Sequence, residues 1–210
     1  TDQCGECDDN QNTDCYDLSL DLHEGANLIS FPALPTDASI ENIFAGCDGV
    51  IGEGVGAVNL DSTWIGSLTE VSQDDGYWVK VSEDTIIEIE DCVPVNYDED
   101  GIVIYEIHYG NNLISYPLTS PQLIADALGD AAANVYAIAG EGVAALNTVD
   151  GFVGSLMALN GEEGYWLVAN DDFTFSFVAG DGSLTRTELP REVPKAYSYI
   201  QSDAQAFYFV

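Results

Sequence analysis

Hydrophobic and polar residues alternate in two parts of the chain that share the same internal order. Residues 17–25 and 102–110 alternate with a period of two, and each stretch leads through a glycine into an apolar segment, NLISFP or NLISYP. A period of two is typical of a strand with one buried face, and a glycine-containing turn between two strands predicts a β-hairpin. We therefore expect each half of the chain to begin with a hairpin.

A short helix is predicted after each hairpin. In the second half, Ser120 is a suitable N-cap, Pro121 stands at the first helical position and Gly129 follows the last apolar residue. In the first half, the helix is predicted over residues 39–44 and ends before Gly46. The apolar face of the second helix is predicted to consist of Leu123, Ile124, Ala127 and Leu128.

The segments that follow the helices are also repeated. GEGVGAVN begins at Gly52 and GEGVAALN at Gly140, 88 positions later, and the pairs WIGSL/FVGSL and DDGYWVKV/EEGYWLVA have the same offset. Asn27 and Asn112 in the hairpins lie 85 positions apart, so one insertion of three residues aligns the halves. Short strands, glycine-rich turns and one helix per copy predict an α+β, mostly β fold built from two pseudo-symmetric copies of one unit, with a C-terminal strand segment.

The repeat divides the chain into five predicted segments. They are a Cys- and Asp-rich connector at 1–16, repeat unit 1 at 17–90, a linker at 91–101, repeat unit 2 at 102–179 and an extended segment with strands at 180–210. The last segment contains the aromatic sequences AYSYI and AQAFYFV, which have high β propensity. We expect these strands either to complete a sheet or to offer an edge to a neighbouring subunit.

Charge excludes several classes of partner. The chain of 210 residues has 37 acidic and 4 basic residues, a formal net charge of -33. Nucleic acid and anionic membranes are bound through Lys and Arg, so we expect neither as a partner. Such self-repulsion is tolerable where salt or divalent cations screen it, as in brine or calcium-rich extracellular fluid, and the alternative is simply a soluble acidic surface. The sequence has no apolar run of membrane-spanning length and no signal peptide, so we expect no membrane insertion and a mature or excised segment.

The cysteines predict disulfides rather than a zinc site. The five residues are Cys4, Cys7, Cys15, Cys47 and Cys92. In an oxidising compartment we expect Cys47 to pair with Cys92 and a second bridge among the first three, with one thiol left over. No histidine near the N-terminal group completes a zinc ligand set.

Two polar loops predict calcium as a cofactor. Oxygen-bearing side chains alternate in each loop, as they do in calcium-binding loops. Neither loop has the bidentate Glu at its twelfth position, where the second loop has Ile107. Ordinary Asx turns are the alternative interpretation. The predicted ligands are Asp8, Asn10, Asn12 and Asp14 in the first loop and Asn96, Asp98 and Asp100 in the second.

Four other motifs have simpler structural interpretations. GEGVGA fits a dinucleotide fingerprint, but the sequence after it predicts a strand and not the helix that the fingerprint requires. His23 and His108 occupy equivalent positions, where duplication explains their recurrence as well as a shared metal does. Ser67 and Ser155 stand in GSL, which is not a nucleophile elbow. The acidic pairs before GYW, Asp74/Asp75 and Glu162/Glu163, are explained as turn residues more simply than as the carboxylates of a glycosidase.

Aromatic residues are the candidate ligand-binding groups. Trp64 and Phe152, at equivalent positions, together with Trp78 and Trp166, could stack on sugars. Their recurrence at duplicated positions favours core packing as the alternative.

The repeated motifs resemble a known family. The order G-x-N-L-I-S-[FY]-P, short helix, [WF]-[IV]-G-S-L and G-Y-W resembles a secreted repeat module of bacterial and archaeal surface proteins, and the GEGVA and AYSYIQSDAQAFYF sequences resemble marine and marine-phage versions. The likeness extends over residues 17–177 and the tail. Ala26 and Asn111 stand where the family usually has Trp, so no aromatic function is carried over there. The resemblance implies secretion and a structural or adhesive role, with no catalytic residues.

These observations predict a non-enzymatic extracellular structural protein. It would be a surface, filament or appendage subunit, or a modular adhesin segment, located at a cell or virion surface. Self-association through the tail strands into a polymer or surface assembly is the predicted mechanism. The alternative is a glycan- or ligand-binding module of a secreted or phage virion protein, and a hydrolase is the third possibility.

Overall fold

The computed structural model describes residues 16–94 and 103–178, and strands are the main element in both ranges. The first range contains β1 (Tyr16–Leu22), β2 (Gly25–Ile29), β3 (Ala33–Leu34), α1 (Ile40–Ile43), β4 (Gly49–Gly52), β5 (Val55–Leu60), β6 (Thr63–Gly66), β7 (Tyr77–Val81) and β8 (Thr85–Pro94). The second contains β9 (Tyr105–Ile107), β10 (Gly110–Ile114), β11 (Gln122–Leu123), α2 (Ile124–Leu128), the 3₁₀-helix η1 (Gly129–Asn134), β12 (Val135–Gly140), β13 (Val143–Thr148), β14 (Gly151–Gly154), β15 (Ala158–Leu159), β16 (Tyr165–Ala169) and β17 (Phe173–Phe175). The predicted α+β, mostly β class is confirmed.

Each half contains one five-stranded antiparallel sheet. The strand order is β2-β7-β4-β5-β6 in the first half and β10-β16-β12-β13-β14 in the second. Strands with the same repeated motif occupy the same place in the two sheets, and GYW opens the strand next to the edge in both. Smaller sheets join β1, β8 and β3, pair β17 with β9, and pair β11 with β15.

Each half also has its own apolar core. Phe31, Phe44 and Tyr77 are fully buried and in ring contact in the first half. In the second, Tyr105 and Tyr116 both make ring contacts with Phe177. Burying one large apolar side chain stabilises a fold by about 1.5–3 kcal/mol, so each cluster is a substantial source of stability.

The second helix begins later than its sequence predicts. Ser120 is not its N-cap, because Gln122 and Leu123 are extended and pair with Leu159 and Ala158 in a short two-stranded sheet. Leu123 is therefore exposed and does not join the apolar face, whereas Ile124, Ala127 and Leu128 are buried as predicted. Gly129 follows the helix with a φ of 52°, and the chain continues as η1. The first helix has Ser39 at its N-cap.

The hairpin predicted at the start of each half is wrong. In the first half β1 pairs with β8 and β2 pairs with β7, and in the second half β9 pairs with β17 and β10 pairs with β16. The glycine-containing turn therefore leads from one sheet to another.

The repeated asparagine fixes the turn that precedes β2 and β10. The Asn27 side chain accepts a hydrogen bond from the backbone N–H of His23 (2.9 Å) and donates one to its carbonyl (2.9 Å). Asn112 makes the same two bonds to His108, at 3.0 and 2.8 Å. These two hydrogen bonds place each histidine just before an edge strand.

The GSL motif marks a close backbone contact between neighbouring strands. A Cβ on Gly66 would lie 2.1 Å from the carbonyl oxygen of Gly56, and one on Gly154 would lie 2.0 Å from that of Ala144. Only glycine leaves room for this approach. The serine that follows each glycine accepts a hydrogen bond from the same neighbouring strand.

The predicted Cys47–Cys92 disulfide is wrong for this structure. Both residues are buried free thiols on separate elements: Cys47 follows α1, and Cys92 lies in β8, where its Sγ donates to the Ile89 carbonyl at 3.5 Å. Burial is the main cause that raises the pKa of each thiol to about 11, which keeps both protonated. Cys4, Cys7 and Cys15 lie outside the described residues.

Candidate functional site at the contact between the halves

Glu53 connects its own half to the turn before β10 in the other half. It lies in the turn between β4 and β5, where Gly54 has a φ of 70°. One carboxylate oxygen lies 2.7 Å from Nε2 of His108, and the other accepts the backbone N–H of Leu113 at 2.7 Å. The carboxylate thus bonds both the turn before β10 and the edge strand β10 itself.

Glu141 makes the same contact in the opposite direction. Its carboxylate lies 2.6 Å from Nε2 of His23 and accepts the N–H of Leu28 at 2.9 Å. We call these two arrangements the Glu–His contacts. These two contacts are the ion pairs found among residues 16–94 and 103–178, and each of them joins one half to the other.

Each half also covers the open edge of the other half's sheet. Beside β2, the N–H of Ser30 donates to the carbonyl of Glu162 (2.8 Å), and that of Gly164 donates to Leu28 (3.2 Å). An open sheet edge has unpaired backbone groups, so this pairing satisfies groups that would otherwise invite association. Glu163 is the bridge partner of Ile29.

The reciprocal pairing protects β10. The N–H of Ser115 donates to the carbonyl of Asp74 (3.0 Å), that of Gly76 donates to Leu113 (3.2 Å), and Asp75 is the bridge partner of Ile114. The acidic pairs before GYW therefore lie in backbone segments that cover an edge.

The glycine of each GYW motif accommodates a leucine from the other half. A Cβ on Gly164 would lie 2.6 Å from the Ile29 carbonyl oxygen and 3.0 Å from Leu28 Cδ1, and one on Gly76 would lie 2.8 Å from the Ile114 carbonyl oxygen. Leu28 and Leu113 are almost fully buried yet belong to neither core cluster. The repeated NLIS and GYW motifs thus meet at the contact between the halves.

Two buried serines distinguish one side of the contact from the other. Ser30 Oγ donates to the Glu163 carbonyl at 2.7 Å and accepts the N–H of Tyr116 at 3.3 Å. Ser115 Oγ donates instead to the Gln73 carbonyl at 2.5 Å and lies 2.7 Å from the Tyr105 hydroxyl. The two sides share their backbone pairing but differ in these side-chain bonds.

The histidines are surrounded by acceptors. In His23, Nδ1 lies 2.8 Å from the Glu24 carbonyl and Nε2 faces the Glu141 carboxylate. In His108 the corresponding partners are the Tyr109 carbonyl, at 2.9 Å, and Glu53. A ring whose two nitrogens both face acceptors is fully hydrogen-bonded only as the imidazolium. The pKa of each histidine is accordingly raised, first by the backbone carbonyl and then by the glutamate.

Two carboxylates in the edge-covering segments have raised pKa values. Burial, followed by repulsion from Asp74, raises the pKa of Asp75 to about 6. Burial and then repulsion from Asp21 raise the pKa of Glu162, which also has a φ of 72°. Both carboxyl groups are therefore harder to ionise in the fold than an exposed Asp or Glu.

A polar cleft of about 660 Å³ lies beside the first Glu–His contact. Ser155 borders this cleft, but its Oγ accepts the N–H of Ala144, while both nitrogens of His23 are occupied as described. In the ranges that the structure describes, no group of three His, Cys, Asp or Glu side chains is arranged to hold a metal. The polar lining includes His23, Asn27, Glu141, Asn160, Glu162 and Glu163.

The structure places the predicted aromatic residues against the cores. Trp64 is partly buried, with its ring centroid 6.5 Å from that of Phe44, and Phe152 is partly buried against the second cluster. Binding of a ligand by Trp64 and Phe152 stays a prediction. The calcium candidates Asp8, Asn10, Asn12, Asp14, Asn96, Asp98 and Asp100 lie outside the described residues.

Two pairs of exposed aliphatic side chains occur at equivalent places, each on the last two strands of one sheet. Val58 lies opposite Ile65, and Leu146 lies opposite Val153. These side chains are 50%, 56%, 49% and 59% exposed, respectively. The strands β6 and β14 that carry Ile65 and Val153 end their sheets, so each has a single strand neighbour in its sheet.

Sequence reasoning missed Glu53 and Glu141. Both stand in a Glu-Gly turn, which by itself predicts a hairpin and nothing more. A usable signal was present, since the two histidines of the chain and the two glutamates of GEGV are each duplicated. If each copy carries one histidine and one glutamate at equivalent positions, the two copies can pair reciprocally, histidine to glutamate in both directions.

Comparison with known proteins gave no match: no family model, curated protein or solved structure matches the chain. Among the described residues, no helix has both the length and the apolar character needed to cross a membrane.

Proposed function

We propose that the chain is a non-enzymatic extracellular structural protein that self-associates into a polymer or a surface assembly. It acts as a surface, filament or appendage subunit or as a segment of a modular adhesin. One observation carries this proposal: a pair of exposed aliphatic side chains recurs on the last two strands of each sheet. The pairs are Val58/Ile65 and Leu146/Val153.

A pseudo-twofold relation between the halves is part of the proposal. It is supported by the equal strand order of the two sheets and by the reciprocal Glu–His contacts. Under this relation the repeated residues serve to hold two copies of one unit together. The chain then has two similar association surfaces, as a subunit needs in order to contact neighbours on two sides.

The outer strands β6 and β14 are the proposed acceptors of neighbouring subunits. Each is short and open on one side, and an open edge next to exposed aliphatic side chains favours addition of another strand. The proposed donor is the tail of another copy, where AYSYI and AQAFYFV are aromatic and have high β propensity. The structure does not describe this donor segment.

An extracellular environment is proposed from charge and resemblance. A net charge of -33 opposes association between copies unless salt or divalent cations screen it. The likeness to secreted surface repeat modules points to the same environment. Calcium bound by the loops at 8–14 and 96–100 is proposed to stabilise the assembly, so chelation should lower the melting temperature, and an unchanged melting temperature would contradict this part.

The proposal is tested by imaging and sedimentation of the full chain. Ordered polymers are expected in negative stain with calcium and salt present. Ile65→Asp combined with Val153→Asp places charges on both outer strands, and we expect the concentration needed for assembly to rise at least about tenfold. Ile86→Asp, at an exposed residue of β8, is the matched control and should have little effect. Monomers that bind a glycan array and never polymerise would instead favour the glycan-binding module.

A further inference from the structure

Each half of the chain carries both partners of a Glu–His contact. The first half supplies His23 to one contact and Glu53 to the other, and the second half supplies His108 and Glu141. Each half therefore presents one turn with a histidine that receives a carboxylate and another turn with a glutamate that provides one.

The backbone pairing has the same two-way character. The first half offers the edge strand β2 and the covering segment around Asp75, while the second offers β10 and the segment around Glu163. None of these contacts depends on the two halves belonging to the same chain. A half from a second copy carries the same groups in the same arrangement.

We propose that this contact surface also recognises a second copy of the chain, by exchange of halves. The first half of one copy binds the second half of another through the Glu–His contacts and the paired edges, and the remaining halves pair likewise. This deepens the proposed self-association and rests on it for the choice of a second copy as partner. It uses a different surface from the outer strands β6 and β14.

The connection between the halves is short. Residues 95–102 lie between the described ranges, and eight residues have a maximum reach of about 27 Å. Domains that share an interface within one chain exchange at low cost when the connecting segment allows it, because the same contacts form in both states. A short linker gives the internal contact an effective concentration on the order of 1 mM, so exchange should become substantial near that protein concentration.

The test uses bridge partners as reporters of which chains are in contact. Asp75 and Ile114 face each other across the contact as an antiparallel bridge. Opposed Cα atoms in such pairs lie about 4.5–5.5 Å apart, within the range for a disulfide. One full-length variant carries Asp75→Cys and another carries Ile114→Cys. The two are mixed at about 1 mM, the effective concentration that the linker gives, and at about 10 μM, well below it. Each mixture is oxidised briefly, and the products are separated without reductant.

We expect a disulfide between the two variants at the higher concentration, at least about tenfold above the level at the lower. Each variant alone and a mixture in which Ile114→Cys is replaced by Thr119→Cys control for other thiols. A chain with both changes should form the bond internally, which verifies the geometry. The second bridge pair, Ile29→Cys with Glu163→Cys, repeats the test on the other side of the contact.

The outcomes separate exchange from the outer-strand mechanism. Internal bonds in the double variants without any disulfide between mixed chains above the Thr119→Cys control would overturn the exchange. Adding Ile65→Asp and Val153→Asp to both chains should leave the mixed disulfide unchanged. If polymers are then lost while the mixed disulfide persists, the two surfaces act independently. If the mixed disulfide is lost with the polymers, the exchange proposal is wrong.

Discussion

Glu53 in the turn of one half lies 2.7 Å from Nε2 of His108 in the other half, and its second oxygen accepts the N–H of Leu113. One carboxylate thereby neutralises an imidazolium and satisfies an edge-strand donor. Glu141 and His23 repeat the relation. The duplicated GEGV glutamates and the duplicated histidines are best understood together, because each is the partner of the other across the contact.

Replacing Glu53 with alanine should destabilise the protein more than its partial exposure suggests. Glu53→Ala leaves the Leu113 N–H without its partner, and an unsatisfied buried donor costs about 1–3 kcal/mol. Glu53→Gln keeps an acceptor and should lose less. Urea unfolding measures both free energies. Glu83→Ala, at an exposed residue of the same half, is the control, and a loss equal to that of the control would contradict the assigned role.

Stability supplied by the Glu–His contacts should decrease as the pH rises through neutrality. The pKa of each histidine is raised in the folded protein, so the contribution is complete below the ordinary value of 6.5 and is lost as the pH passes the raised value. Exposed ion pairs contribute about 0.2–1 kcal/mol each, so the total change is modest. NMR titration of the two imidazoles measures the shift directly.

The variant that isolates this effect is His23→Gln with His108→Gln, which keeps a neutral donor at each site. Asp75 also favours lower pH, because its pKa is raised to about 6 and charging it in the fold is unfavourable. The variant retains Asp75, so the difference between wild type and variant reports the histidines alone. A difference that does not change between pH 5.5 and 8.5 would show that the contacts are not ionic.

The short strands and the one helix of each half could be predicted because alternation and turn glycines are local signals. The predicted hairpins were wrong, because β1 and β2 pair with β8 and β7, which lie far along the chain, and not with each other. The start of α2 could not, because the pairing of Gln122 with Leu159 is a tertiary contact that overrides a good local N-cap at Ser120. The role of Glu53 was hidden for the same reason, since its partner His108 is 55 positions away. Duplication showed which residues matter, and the structure was needed to show that they contact each other across the halves.

Cys47 and Cys92 should resist alkylation in the folded protein. Both are buried, and burial raises the pKa of each thiol to about 11, so little thiolate is present at pH 8. Iodoacetamide treatment followed by peptide mass mapping should find both unmodified in the native chain and modified in urea. A mapped Cys47–Cys92 disulfide, or rapid labelling without denaturant, would contradict the free, buried state.

Adding a methyl group to Gly164 should weaken the contact between the halves. A Cβ there would lie 2.6 Å from the Ile29 carbonyl oxygen, a backbone atom that cannot move without breaking the edge pairing. We expect Gly164→Ala to cost about 2–3 kcal/mol, in the range found for overpacked sites.

Gly46→Ala is the matched control, because Gly46 has a φ of 89° but no atom within 4 Å of its would-be Cβ. Its cost should be limited to backbone strain, about 1–2 kcal/mol. Hydrogen exchange should show that Gly164→Ala lowers protection first at Ser30, whose N–H donates to the Glu162 carbonyl, while Val50 and Val79 in the sheet interior remain protected. Equal losses of stability for the two variants, or uniform loss of protection across the first half, would mean that the edge pairing does not hold the halves together.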